Sequence, residues 1–185
     1  MSVTYSIRPE TPADAPLIAA LHQDAFGPSE PIPALVQGLR EMEGAFAFVS
    51  LVAEDQNAQV IGHVMLTHAW LDAPKSMVDV LVLSPLGVRS DVQRQGIGAA
   101  LIAHAIKAAE ALGAPLLFLE GNPAYYGPRG FETASALGFR APSLRIPDRA
   151  FQVVKLSGYS DDMTGTLVYR EPFWALDCVG LRKET

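Results

Sequence analysis

A mixed α/β fold, mostly antiparallel with one parallel strand pair and helices flanking the sheet, follows from three observations on the sequence. After a first strand and two helices, residues 45–88 read as strand candidates joined by short turns, an antiparallel meander. Residues 81–112, LVLSPLGVRSDVQRQGIGAALIAHAIKAAEAL, then pass from a Val- and Leu-dense strand through a polar turn with two glycines into an amphipathic helix. The apolar run 115–120 follows that helix directly, and a helical crossover requires it to run parallel to the strand before the glycines.

Taken in order, Val3, Tyr5 and Ile7 alternate with Thr4, Ser6 and Arg8, the period of a half-buried strand that Pro9 ends. Thr11-Pro12-Ala13-Asp14 reads as a helix start, and Leu17, Ile18, Leu21 and Phe26 form the expected buried side of that helix. Residues 27–33 are a Gly- and Pro-rich loop, and a short helix is expected over 34–40. Strands are expected over 45–54 and 59–71 around a hairpin turn, and over 77–88 after the break at Asp72-Ala73-Pro74. Gly113 suits the end of the long helix. Residues 121–131 hold too much Gly and Pro for more than a short helix or turn, and 151–156 and 166–173 read as closing strands. No repeat, low-complexity tract or linker interrupts the chain, so one domain over 1–185 is expected.

Composition narrows the function. The chain of 185 residues is 49% hydrophobic and 18% charged, as in ordinary globular proteins. No apolar run is of membrane-spanning length, and MSVTYSIRPE lacks a basic segment followed by an apolar one, so a cytoplasmic protein without a membrane partner is expected. The formal charge of −6 argues against nucleic acid and suits a cationic amine. One cysteine, Cys178, excludes an internal disulfide framework. His63 and His68 have opposite strand parity and no acid beside them, so no metal is expected. Oligomeric state is unreadable, with a homodimer left open.

The glycine turn carries the main functional signal. Gln95-Gly96-Ile97-Gly98 opens the helix, so free backbone N–H groups at the positive end of its dipole face outward without side chains in the way, an arrangement that binds phosphate. A tight turn alone would also call for glycines. Flanking Arg89 and Arg94 add positive charge, and Ser84-Pro85 removes a ladder donor from the preceding strand, which is expected to part from its neighbour there. A dinucleotide fingerprint needs a small residue at position 101, where Leu101 stands, which disfavours a nicotinamide oxidoreductase; no Gly-Lys-Ser or Gly-Lys-Thr occurs either.

The pattern Gln93-x-x-Gly96-x-Gly98 after Leu86-Gly87-Val88 resembles the acetyl-CoA motif Q/R-x-x-G-x-G/A of the GNAT superfamily of N-acetyltransferases. Tyr126, five residues before the Phe131 of Gly130-Phe131, stands at the spacing of that family's tyrosine, and the PAYYG-x-x-GF wording is similar to a bacterial subgroup whose closing strands resemble 151–156 and 165–169. The resemblance implies a GNAT-like sheet whose parallel pair splays at the coenzyme site. It implies acetyl-CoA as acyl donor, held by Leu86, Gly87, Val88, Arg94, Gln95, Gly96, Ile97, Gly98, Ala99 and Asn122. Asn122 departs from the family's spacing, lying only four residues before Tyr126.

By the same resemblance the Val88 N–H polarises the thioester carbonyl and Tyr126 protonates the departing thiolate, with Tyr125 the alternative acid. The attacking amine must be neutral; Glu54, His68, Asp79, Glu120 or a water could take its proton. The expected activity is direct transfer of the acetyl group to a primary amine on a small molecule or peptide. A coenzyme-A-binding sensor without catalysis is the rival. Residues 27–33 and those after Phe131 are expected to shape the acceptor pocket.

Overall fold

The structure, a computed structural model, describes residues 3–182. Along the chain these form β1 (Tyr5–Pro9), α1 (Ala15–Phe26), α2 (Ile32–Arg40), β2 (Val49–Asp55), β3 (Val60–Asp72), β4 (Met77–Val88) and α3 (Ile97–Ala111). The remainder comprises β5 (Leu116–Glu120), α4 (Pro123–Tyr126), β6 (Glu132–Thr133), β7 (Phe139–Arg140), β8 (Phe151–Lys155), β9 (Gly165–Val168) and α5 (Glu171–Ala175). Among the described residues the strands make one mixed sheet, ordered β1-β2-β3-β4-β5-β8-β6, with β9 bridging β3 and β7. The expected meander is there: β1 to β4 pair antiparallel in sequence order. The crossover through α3 makes β4 and β5 parallel, as its right-handed geometry demands.

Strand alternation feeds two cores, one on each face. On one face Ile18 of α1 and Leu35, Val36 and Leu39 of α2 pack over Val52, Met65, Val80, Val82 and Phe118. On the other, Ile97, Leu101, Ile102, Ala105 and Ala109 of α3 cover Ile61, Val64, Leu66, Leu81, Leu83, Leu117 and Leu119. The period of two in β4 and β5 and the 3.6 period in α3 therefore meet as the sequence indicated.

Several elements differ from expectation. On α1 the buried stripe is Ile18, Leu21 and His22, while Leu17 and Phe26 are exposed; a buried histidine takes a place that hydropathy alone gives to apolar residues. Thr11 stands before a short 3-10 turn, Pro12–Asp14, and donates both its N–H and its hydroxyl to the Asp14 carboxylate, and α1 proper starts after it. The strand expected from residue 45 begins at Val49. The last expected strand, 166–173, stops at Val168, and Glu171–Ala175 is helical. Pro172 explains the change: it has no N–H for a ladder but suits a first helical turn, and Phe173 is buried beside it.

The parallel junction positions the cleft. Only Leu81↔Leu117 and Val82↔Phe118 pair β4 with β5, although β4 continues six residues further. Pro85, in the Ser84–Pro85 segment expected to part, offers no donor there. Beyond Val82 the strands splay, and the opening faces the N-terminus of α3.

Candidate active site

Leu86 and Val88 form one wall of a cleft of about 490 Å³, the turn residues Gln93, Arg94, Gly96, Ile97, Gly98 and Ala99 a second, and Tyr125, Tyr126 and Arg129 a third. The backbone of the first wall is oriented by sheet register. Arg89 N–H donates to the Ile61 carbonyl, so positions 61 and 89 form a bonded pair and the alternate pairs, Gly62↔Val88 and Val64↔Leu86, turn their polar groups away from β3. The N–H and C=O groups of Leu86 and Val88 thus point into the splay. Gln93 braces this edge, its Nε2 donating to the Val88 carbonyl at 3.1 Å.

The second wall is the helix start. Gly96, with φ +87°, is the N-cap of α3, a left-handed conformation that needs glycine. It aims the first amides of the helix into the cleft, where no cap side chain occupies them. Gly98 serves differently: a Cβ there would collide with the Tyr125 hydroxyl. Arg94 lines the cleft. Arg89, expected beside it, does not; its guanidinium pairs with Asp91 at 2.7 Å on another surface, because the turn Ser90–Val92 brings that acid back to it.

Of three further expected contacts, Gly87 has its Cα turned to another element, and Gln95 and Asn122 have side chains engaged elsewhere. Gly87 faces α1, where a Cβ would stand 2.8 Å from His22 Nδ1. Gln95 Oε1 accepts from the Val3 N–H, and Asn122 Oδ1 caps α4 by accepting from the Ala124 N–H at 2.9 Å.

On the third wall both tyrosines face the cleft, at 90° to one another. Tyr126 packs against Phe131 and is the more enclosed; burial, with Tyr125 adding, pushes its phenol up to about 12, so it is protonated at neutral pH. Burial raises Tyr125 as well. Arg129, not singled out in the sequence, stacks its guanidinium 3.9 Å over the Tyr125 ring. Its position four residues after Tyr125 was the available signal, since residues at that spacing meet on a helical turn.

The structure separates the candidate bases. Glu54 is bound by Arg8 and lines a small pocket at the β1 edge. His68 has both ring nitrogens engaged, Nε2 with Asp79 at 2.7 Å and Nδ1 with Arg170 at 2.9 Å. Glu120 ends β5 where the strands have splayed, on the Leu116 and Phe118 face, opposite α3. Its carboxylate accepts from Tyr169 Oη at 2.8 Å and the Gly180 N–H at 3.0 Å, and burial raises its affinity for a proton. Among the described residues no cluster of three or more His, Cys, Asp or Glu could hold a metal ion, and no helix is long and apolar enough to cross a membrane.

The opposite face carries a different polar assembly. His22 Nε2 meets His63 Nδ1 at 2.8 Å, His63 Nε2 meets Ser50 Oγ at 2.8 Å, Ser50 donates to Glu10, and Arg40 grips Glu10 at 2.8 and 2.9 Å. Burial holds both imidazoles neutral, His22 at about 3. Burial also disfavours the Glu10 anion, but His63, Arg40 and Ser50 outweigh it and hold that carboxyl at about 2.

Comparison with known proteins agrees with this geometry. The profile of the Acetyltransferase (GNAT) family matches residues 15–131. The uncharacterized N-acetyltransferase YhbS of Escherichia coli K12 is 33% identical over 170 residues, covering 90% of this chain and 97% of that protein. YjhQ of the same organism, also an uncharacterized N-acetyltransferase, is 32% identical over 70% of this chain and 71% of its own. The crystal structure of E. coli YhbS in complex with CoA has a TM-score of 0.80 at 31% identity, covering 94% of this chain and 93% of that one. A GNAT family acetyltransferase from Brucella melitensis in complex with acetyl-CoA gives 0.72 at 26% identity over 92% and 98%. With the family profile spanning most of the chain and a relative one third identical along nearly all of it, this protein belongs to the GNAT family of acetyltransferases.

Proposed function

We propose that this enzyme moves the acetyl group of acetyl-CoA directly to a primary amine, within a single domain spanning residues 1–185. The observation that carries the reading is the splay between β4 and β5, which opens at the N-terminus of α3 and presents the outward N–H and C=O groups of Leu86 and Val88. In it the amides of residues 96–99 hold the pyrophosphate, and the pantetheine amides pair with Leu86 and Val88 as an added strand would. The Val88 N–H donates to the thioester carbonyl oxygen as negative charge develops there. The CoA complex of YhbS and the acetyl-CoA complex of the Brucella enzyme support this donor.

The acceptor reaches the carbonyl from the face opposite α3, where Glu120 stands at the open end of β5. Its amine nitrogen attacks the carbonyl carbon, Glu120 takes the amine proton, and the carbon–sulfur bond breaks. Tyr126, protonated and lining the cleft, supplies the proton that the departing thiolate needs. Tyr126 is preferred to Tyr125 as the acid by its five-residue spacing to Phe131, while the Tyr125 hydroxyl abuts Gly98 in the first turn of α3.

The test is a thiol-release assay over a panel of primary amines, with product mass as confirmation. Tyr126→Phe is expected to lower kcat by roughly 100-fold or more while leaving the KM for acetyl-CoA unchanged, the signature of a lost transition-state interaction. Tight acetyl-CoA binding without turnover on any amine would overturn the reading.

A further inference from the structure

The geometry points to Arg129 as a phosphate ligand: its guanidinium, held over the Tyr125 ring, closes on the coenzyme pyrophosphate from the wall that faces the helix N-terminus. The inference rests on the acetyl-CoA reading above and adds a side-chain contact to a cradle otherwise made of backbone.

Four observations carry it. The Arg129 Nε is buried and has no hydrogen-bond partner among the described residues. An orphaned buried donor is costly, the more so where the group is charged, so a structure retains one where something else supplies the acceptor. Second, one Nη is fixed by donating to the Tyr125 carbonyl and the guanidinium rests over the ring beneath it, which orders the group before any ligand arrives.

Third, charge around the cleft departs from that of the molecule. The chain carries a net charge of −6, yet among the described residues the cleft is lined by two arginines, Arg94 and Arg129, and no aspartate or glutamate. Arg8, Arg40, Arg89, Arg145 and Arg182 all hold carboxylates, whereas neither cleft arginine does among the described residues. An unpaired guanidinium in an acid-free pocket is built for an anionic ligand, and its fork of donors matches phosphate oxygens.

Fourth, position selects the pyrophosphate over the 3′-phosphate of the coenzyme. The Tyr125 ring that carries Arg129 has its hydroxyl against Gly98, in the first turn of α3, where the outward amides converge. One ring thus touches both the guanidinium and the first turn of α3, so the two walls meet at Tyr125.

Equilibrium titration of the full chain with acetyl-CoA, 3′-dephospho-acetyl-CoA and S-acetylpantetheine tests the assignment. Arg129→Gln is expected to weaken the first two equally, by roughly 10- to 100-fold for one charge-assisted contact, and to leave S-acetylpantetheine unchanged. Arg129→Lys, which keeps the charge without the fork, is expected to fall between. Loss confined to acetyl-CoA would place the contact at the 3′-phosphate and overturn the proposal. Equal loss with all three ligands would reduce Arg129 to a structural prop, and no loss with any would remove its role. A wild-type protein that bound none of them would sink the acetyl-CoA reading itself, a result distinct from a wild type that binds and ignores residue 129.

Discussion

The two faces of the sheet treat polar groups in opposite ways. On the α3 side the cleft holds polar groups without partners among the described residues: the first helix amides, the outward N–H groups of Leu86 and Val88, the Arg94 guanidinium and the Arg129 Nε. On the α1 and α2 side the chain His22–His63–Ser50–Glu10–Arg40 answers nearly every donor with an acceptor, leaving His22 Nδ1 as its one buried atom without a partner. The contrast teaches where to look for a ligand. Saturated polar groups fasten elements to one another, here α1 and α2 to β2 and β3, whereas unsaturated ones in an open cleft await a molecule.

The strongest way to break this contrast is Glu10→Ala, which strands the Arg40 guanidinium and the Ser50 hydroxyl in a mostly buried site. A loss of about 3–5 kcal/mol in urea unfolding is expected, with acetyl-CoA affinity unchanged in the protein that remains folded. A parallel fall in affinity would show that the two faces are not independent.

Acid sharpens the contrast next. The folded pKa of His22 is depressed to about 3 from 6.5, and that of His63 is depressed too. Between pH 6.5 and 5 the unfolded chain therefore binds protons that the folded chain refuses, and stability is expected to fall on the order of 1 kcal/mol per pH unit from His22, with His63 adding in the same direction. Urea midpoints at pH 7, 6 and 5 check this; the double variant His22→Gln, His63→Gln should flatten the slope. Glu10, whose folded pKa is depressed to about 2, adds its own loss in the same direction only below its unfolded value of 4.5.

The smallest expected stability change lies in the cleft. Gly96→Ala places a Cβ in open space but in a left-handed conformation, at about 1–2 kcal/mol. Because that conformation aims the amides, acetyl-CoA affinity should fall with it. Gly98→Ala keeps helical dihedrals and instead pushes the Tyr125 hydroxyl aside. Calorimetry and thermal unfolding on the pair separate conformation from space.

The α3 side was legible in the sequence because its parts lie close along the chain. Pro85, Gln93, Gly96 and Gly98 act through backbone geometry within one strand, turn and helix, and the parallel pairing of β5 follows from chain handedness. The α1 and α2 side was illegible for the converse reason. His22, His63 and Ser50 are 41 and 13 residues apart and meet only after two helices fold onto the sheet, so periodicity misassigned Phe26 to the stripe that His22 occupies. Arg89 shows the limit inside the legible region, since no spacing rule says which of two nearby arginines a local acid will capture.

The sheet is, in effect, two plates hinged on a pair of residues. With β4 and β5 joined only at Leu81↔Leu117 and Val82↔Phe118, and β9 as a second strap on β3, a pantetheine bound in the proposed way would become the missing rung between them. The filled enzyme is then a stiffer body than the empty one, and its backbone amides in β5 and β8 should exchange with solvent more slowly whenever the donor is plentiful.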